Sequence, residues 1–442
     1  MVGILKSLEW LKPGLKLKRW LFLQVIAVVF WGYGIALLIS QKNPNTHSVG
    51  IAACYIGVGM VLIAISIFYI IKTVMNVVNE SGLNSFADAQ NLRSLLIDKK
   101  ILERGPSIVV VGGGTGLSTM LRGLKTFTSN ITAVVTVSDD GGSSGTLRED
   151  LGILPPGDIR NCILALARTE PILEKLLQYR FTEGRLKNQN FGNLFLAAMT
   201  RVCGSFEKAV KTMSDVLAVT GVVLPVSLED IKLCAELEDK TIVIGESKVE
   251  SKLKKSAIKR VFIQPENAKA FPEVIEAIKE ADAIILGPGS LYTSIIPNLL
   301  VNGVVRAIRN SRATKIYVSN IMTQPGETDN YSVYDHIRAI EEHGGRGCIN
   351  FCIVNSGKVS ADVVEKYIED GAQKVEIDEK KIQRNGIKLI KEDVINIEKG
   401  FVRHNSAKLG EAIEKIICNQ SGQKRKRAYI RKKVSIDKSI SI

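Results

Sequence analysis

The chain has 442 residues, 45% of them hydrophobic, and a formal net charge of +14. That length accommodates one α/β domain of about 300 residues with additional segments. Its seven cysteines and four histidines lack the spacing of a disulfide framework or a zinc site, which leaves reduced thiols as the expectation.

The first 80 residues differ from the rest. Trp20–Ser40 and Val49–Ile71 carry no charge, and each is long enough to cross a ~30 Å hydrocarbon core as a helix. Only Gln41–Ser48 separates them, so they read as a transmembrane hairpin. Uncharged runs this long are rare in soluble cores, and no small-residue cleavage pattern follows the first. Lys6, Lys12, Lys16, Lys18 and Arg19 precede the first span, whereas the connection holds only Lys42. The positive-inside rule then makes this a multi-pass cell-membrane protein, with the N-terminus and the main domain cytoplasmic. The expected organisation is a membrane anchor at 1–80, a polar linker at 81–105, an α/β domain at 106–418 and a basic tail at 419–442.

From Pro106 strand and helix signals alternate. Ser107–Val111 and Ile131–Val137 read as buried strands, each followed by glycines and a helical segment. "PPGDIRNCILALAR" reads as a helix entered through a proline turn, and 171–219 as mainly helical. "TIVIGES" suggests a short β excursion. Strand–helix alternation then resumes through "RVFIQP", "AIILGPGS", "KIYVSN", "CINFCIVN" and "KVEID". Such units imply an α/β domain with a mostly parallel sheet and helices on both faces.

Ligands of open α/β sheets bind beyond the carboxyl ends of the strands, so the loops there are the candidates. Gly112, Gly113, Gly114, Thr115 and Gly116 place backbone N–H groups at a helix start, which favours an anion. The Lys-Ser/Thr of a P-loop is missing, and Leu117 stands where a dinucleotide fingerprint needs its third glycine. Asp139 and Asp140 follow the second strand, where they could bind a ribose or, together, Mg²⁺. Gly141, Gly142, Ser143 and Ser144 offer a further cradle of donors. "LPPGDIRN" brings Asp158, Arg160 and Asn161 to a helix start. Gly287, Gly289 and Ser290 form another anion-ready turn, and Asn193 in "NFGNL" can bind a ligand or cap a helix. With no nucleophile–histidine pair, the set suits positioning a phosphorylated ligand more than covalent catalysis.

The tail segment Gln423–Lys433 supplies seven positive charges. Anionic lipid headgroups are the simplest partner beside a membrane anchor; a nucleic-acid role would rest on this tail alone, and a solvated tail with no partner stays open.

Together, "VVVGGGTGLSTMLRGLK", "TAVVTVSDDGGSSGTLRE", "LPPGDIRNCILALA", "NFGNLFLAAM" and "ILGPGSLYTSIIPNLLV" resemble the CofD-like family, and more closely its bacterial YvcK-type gluconeogenesis factors, over about 108–416. The resemblance implies a Rossmann-like, nucleotide-binding α/β core. In this branch it implies binding of UDP-sugars such as UDP-N-acetylglucosamine, in support of cell-wall synthesis and cell shape during gluconeogenic growth, with no cofactor required. Its other branch implies the alternative, a Mg²⁺-dependent transferase of a phosphoryl-linked group like 2-phospho-L-lactate transferase. Tyr367 and Arg403 resemble the branch's nucleotide-sugar contacts, and Ser406 stands where it often has a phosphorylatable threonine. A homodimer is left open.

Overall fold

The computed structural model describes residues 17–40, 46–81, 99–168, 171–252, 257–398 and 400–420. The basic tail and most of the linker lie outside them. The chain divides into two compact units, 1–100 and 101–442.

In the first unit α1 (Leu17–Ser40) and α2 (Thr46–Ser81) pack against each other. Two glycines sit where the helices touch. A Cβ on Gly34 would lie 2.7 Å from Ile56 Cγ1, and one on Gly59 2.9 Å from Trp31 Cβ. Small residues allow such close approach of apolar helices. Trp20 stacks on Tyr69 at 4.2 Å between ring centroids, and Ser66 Oγ donates to the Trp20 carbonyl over 2.8 Å. Much of the remaining surface is apolar and uncovered, including Phe22, Ile39 and Phe68. Both helices are long and apolar enough to cross a membrane, through Phe22–Ser40 and Val49–Ile71.

The second unit is built on a seven-stranded sheet in the order β10-β9-β8-β7-β1-β2-β3. Its strands are β1 (Ile108–Gly112), β2 (Ile131–Val135), β3 (Val222–Pro225), β7 (Ala283–Leu286), β8 (Thr314–Val318), β9 (Phe351–Asn355) and β10 (Lys388–Glu392). Every pairing within it is parallel. The five central strands are almost wholly buried, as both-faced burial requires, and each buried aliphatic side chain contributes ~1.5–3 kcal/mol. The chain runs outward from β1 through β2 to β3, then returns to β7 beside β1 and runs outward the other way. The switch point between β1 and β7 opens a crevice at the carboxyl ends of these strands.

Two strand expectations change. "RVFIQP" does not join the parallel sheet. It is the end of β6 (Ile258–Gln264), which pairs antiparallel with β4 (Lys232–Leu237), itself flanked by β5 (Ile242–Ile244). Exposed Lys259, Arg260 and Gln264 leave β6 partly solvated, as befits a small antiparallel sheet. "KVEID" makes only an isolated bridge, Lys374 to Met322, and the outer strand is β10, further along the chain.

Of the helices that position the site, α3 (Gly114–Leu124), α4 (Gly142–Leu151), α5 (Gly157–Leu166) and α6 (Phe191–Cys203) lie in the first half of the unit. Later come α7 (Ala361–Glu369), the antiparallel hairpin of β11 (Ile395–Glu398) and β12 (Phe401–His404), and α8 (Ser406–Gln420).

Candidate functional site

Two glycine turns meet at the switch point. Gly113 caps α3 in extended backbone, and Gly114 takes φ +67°, a conformation that β-carbons disfavour. A Cβ on Gly116 would lie 2.6 Å from the Pro288 carbonyl oxygen, so a glycine here lets the β1 and β7 turns touch. Asn298 fixes the junction by donating to the carbonyls of Gly112 and Ser294.

The resulting crevice has a volume of about 270 Å³. Gly113, Gly114, Thr115, Gly116, Gly289, Ser290, Tyr367 and Arg403 reach its wall. Gly112 ends β1 and Gly287 follows β7, and neither lines the crevice. The loop after β8 supplies Asn320, Thr323 and Gln324, which the sequence reading passed over because no glycine marks them. Gln324 Nε2 donates to Ser290 Oγ over 2.8 Å, while its Oε1 is buried without a partner.

The β11–β12 hairpin adds to one wall of the crevice. Tyr367, on α7, packs with Ile321, Met322 and Val363, and its hydroxyl accepts the Val402 N–H over 2.9 Å. It therefore holds the hairpin as well as lining the crevice. Arg403 is exposed and lies 5.6 Å from the Phe401 ring centre. His404 Nε2 meets the Ser319 carbonyl at 3.2 Å, and burial lowers its pKa to about 4, which keeps the ring neutral.

Behind the first turn the carboxylates sort differently from their sequence order. Asp140 turns away, accepting the Ser247 N–H over 2.8 Å. Asp139 accepts the Gly141 N–H over 2.9 Å, and the acid that faces it is Asp158. Asp158 accepts from the Gly114 N–H at the start of α3. Packed under the loop with one edge toward solvent, it titrates at about 6, raised first by burial and then by Asp139. Among the described residues no three His, Cys, Asp or Glu side chains gather as a metal site. Mg²⁺ needs only one or two carboxylates when substrate phosphates complete its shell. Asp139 and Asp158 are close enough for their charges to repel, whereas Asp140 is held at the Ser247 N–H.

Gly141, Gly142, Ser143 and Ser144 do not reach the crevice. Ser143 donates to Gln189 Oε1 and accepts from the Asn190 N–H, and Ser144 is buried against Gly157. Buried Arg148 anchors the loop by donating to Asp230 and to the carbonyls of Ile231 and Ser138. In "NFGNL" the cap of α6 is Asn190, not Asn193. Asn193 instead accepts Arg160 Nη1 over 2.9 Å.

Set against known proteins, residues 108–395 match the family model of 2-phospho-L-lactate transferase CofD. The chain belongs to the CofD family. Within that family, a gluconeogenesis factor from Bacillus subtilis is 46% identical over 70% of this chain and 97% of its own length. A relative from Clostridium acetobutylicum is 50% identical over 97% of this chain and 95% of its own, so its likeness includes the N-terminal helices. The crystal structure of a UPF0052-family protein from Bacillus halodurans shares 49% identity at a TM-score of 0.67, covering 69% of this chain and 98% of that one. This CofD-family chain thus carries the α/β domain of its gluconeogenesis-factor relatives with two apolar helices ahead of it.

Proposed function

We propose that the crevice binds a nucleotide sugar of the UDP-N-acetylglucosamine class, and that the protein acts as a regulator rather than a catalyst. On this reading it supports cell-wall synthesis and cell shape during gluconeogenic growth, and its N-terminal helices hold it at the cytoplasmic face of the membrane. The observation that carries the reading is the meeting of the α3 N-terminus and the second glycine turn opposite Tyr367 and Arg403. Backbone N–H groups and the guanidinium suit a diphosphate, and the tyrosine ring suits a base. Calorimetry on the full chain in detergent should give saturable binding of UDP-N-acetylglucosamine, weakened about tenfold by Arg403→Ala through loss of a charge-assisted contact. No heat with any UDP-sugar would sink it.

The second reading is a Mg²⁺-dependent transferase. It is favoured by the Asp139–Asp158 pair, which places negative charge behind the first glycine turn, next to where a diphosphate would sit. A divalent cation there would offset that repulsion and neutralise charge developing on a transferred phosphoryl group. Turnover of a nucleotide-activated donor, dependent on Mg²⁺ and lost in Asp139→Asn, would decide for the enzyme.

A further inference from the structure

Beside the crevice lies a larger chamber of about 800 Å³, within the range of small-molecule sites. The two share Thr115, Thr119, Arg403 and His404, but most of the chamber wall is separate and its character is different. Four arginines, Arg122, Arg160, Arg180 and Arg403, face it with only two acids, Glu174 and Glu398.

Among the described residues, only Arg122 of the four makes an ion pair, with Glu174 at 2.8 Å. Arg180 donates to the Asn188 carbonyl over 2.6 Å. Arg160 is 9% exposed and donates to two neutral amides, Asn193 Oδ1 at 2.9 Å and Asn161 Oδ1 at 2.7 Å. Its Nε is buried with no hydrogen-bond partner. Asp158 and Asp139 favour its charge through space without hydrogen-bonding to it; a buried guanidinium with no directly bonded counter-ion is costly to hold, and its fork matches carboxylate and phosphate oxygens.

We propose that this chamber is a second anion-binding site, which takes a small ligand bearing a phosphate or carboxylate group while the crevice keeps its own guest. The shared Arg403 makes the two occupancies couple, and reciprocally so. The site extends the nucleotide-sugar reading without depending on it. A protein so built reads two metabolites together.

The test is calorimetric titration of the full chain in detergent with inorganic phosphate, under saturating UDP-N-acetylglucosamine, and in parallel with citrate. Saturable binding of one phosphate or one citrate per chain is expected, and the two arms tell which oxyanion the chamber prefers. Arg180→Ala should weaken it about tenfold, the worth of one charge-assisted hydrogen bond. Arg160→Lys, which keeps the charge and loses the fork, should do the same. Nucleotide-sugar affinity in the presence of the anion should fall no more than the coupling allows, and its affinity without the anion should stay unchanged in Arg180→Ala. Absence of both anions from a chain that holds the nucleotide sugar would overturn the proposal, as would simple displacement of the sugar by them. If the nucleotide sugar itself fails to bind, the functional reading falls, and anion titration of the wild type against Arg180→Ala still decides the chamber.

Discussion

The crevice and the chamber adjoin, yet they are built from opposite materials. The crevice is made largely of backbone: glycines at Gly113, Gly114, Gly116 and Gly289 bring two turns together and leave N–H groups on the wall. The chamber is made of long side chains, chiefly arginines resting on amides and carbonyls. Backbone sites are shaped by what is absent, so adding a methyl group harms them. Side-chain sites are shaped by what projects, so truncation harms them, and usually by less.

The largest effect should come from adding atoms to the crevice. In Gly116→Val the new Cβ has 2.6 Å to the Pro288 oxygen and 3.0 Å to its carbonyl carbon. Both are backbone atoms with little freedom to withdraw. We expect a stability loss of about 3 kcal/mol, the range of overpacking, and a loss of nucleotide-sugar affinity of about 100-fold or more, some 2.7 kcal/mol or above. Thermal melting and calorimetry on the same sample separate the two. Affinity within a few-fold of wild type would show that the guest does not lie between the two glycine turns.

A smaller effect should come from removing a charge behind the crevice. Asp158 titrates at about 6 in the fold against 3.8 when unperturbed. A raised carboxyl pKa means that the folded state holds its proton longer. Stability from this group is therefore full at low pH and is lost as pH rises from about 4 through 6. His404 works in the other direction: with its pKa lowered to about 4 from 6.5, its contribution is present above 6.5 and lost as pH falls toward 4. In the wild type the two slopes oppose each other. Asp158→Asn keeps an acceptor for the Gly114 N–H and should stabilise the protein by about 2 kcal/mol above pH 7, allowing for partial solvent access. It should also uncover a stability that rises steadily between pH 4 and 6.5. Melting curves across that range check both, and an unchanged profile would mean that burial and Asp139 do not raise the Asp158 pKa.

The same contrast explains which parts were legible in the sequence. Glycines after apolar runs betray a backbone-built site, because few other demands place four of them in five positions. The parallel sheet, the β1 and β7 turns and the two apolar helices followed from such local patterns. Pairings across the fold did not. Asp140 adjoins Asp139 in the chain, but alternation along the loop turns its carboxylate to Ser247, and Asp158, reached only through the α5 start, becomes the true neighbour. The cap considered for Asn193 is made by Asn190, because the helix starts at Phe191 and takes Asn193 into its first turn. The residues of the β8 loop that line the crevice, 320–324, carry neither glycine nor charge; their one available signal was their place after a strand. The arginines of the chamber come from four separate segments, so no spacing could gather them.

The smallest effect tests whether Tyr367 belongs with the backbone or with the projecting groups. Its hydroxyl holds the Val402 N–H at 2.9 Å, and its ring lines the crevice. Tyr367→Phe keeps the ring and leaves that N–H without its partner, which should cost about 1 kcal/mol of stability. If the ring is what meets a base, nucleotide-sugar affinity should change less than threefold, or about 0.6 kcal/mol. If the hydroxyl's real part is to hold the β11–β12 hairpin and its Arg403 in place, affinity should fall together with stability. A fall in affinity comparable to that of Arg403→Ala would therefore class Tyr367 as a positioning residue, whose ring contact with the guest is secondary.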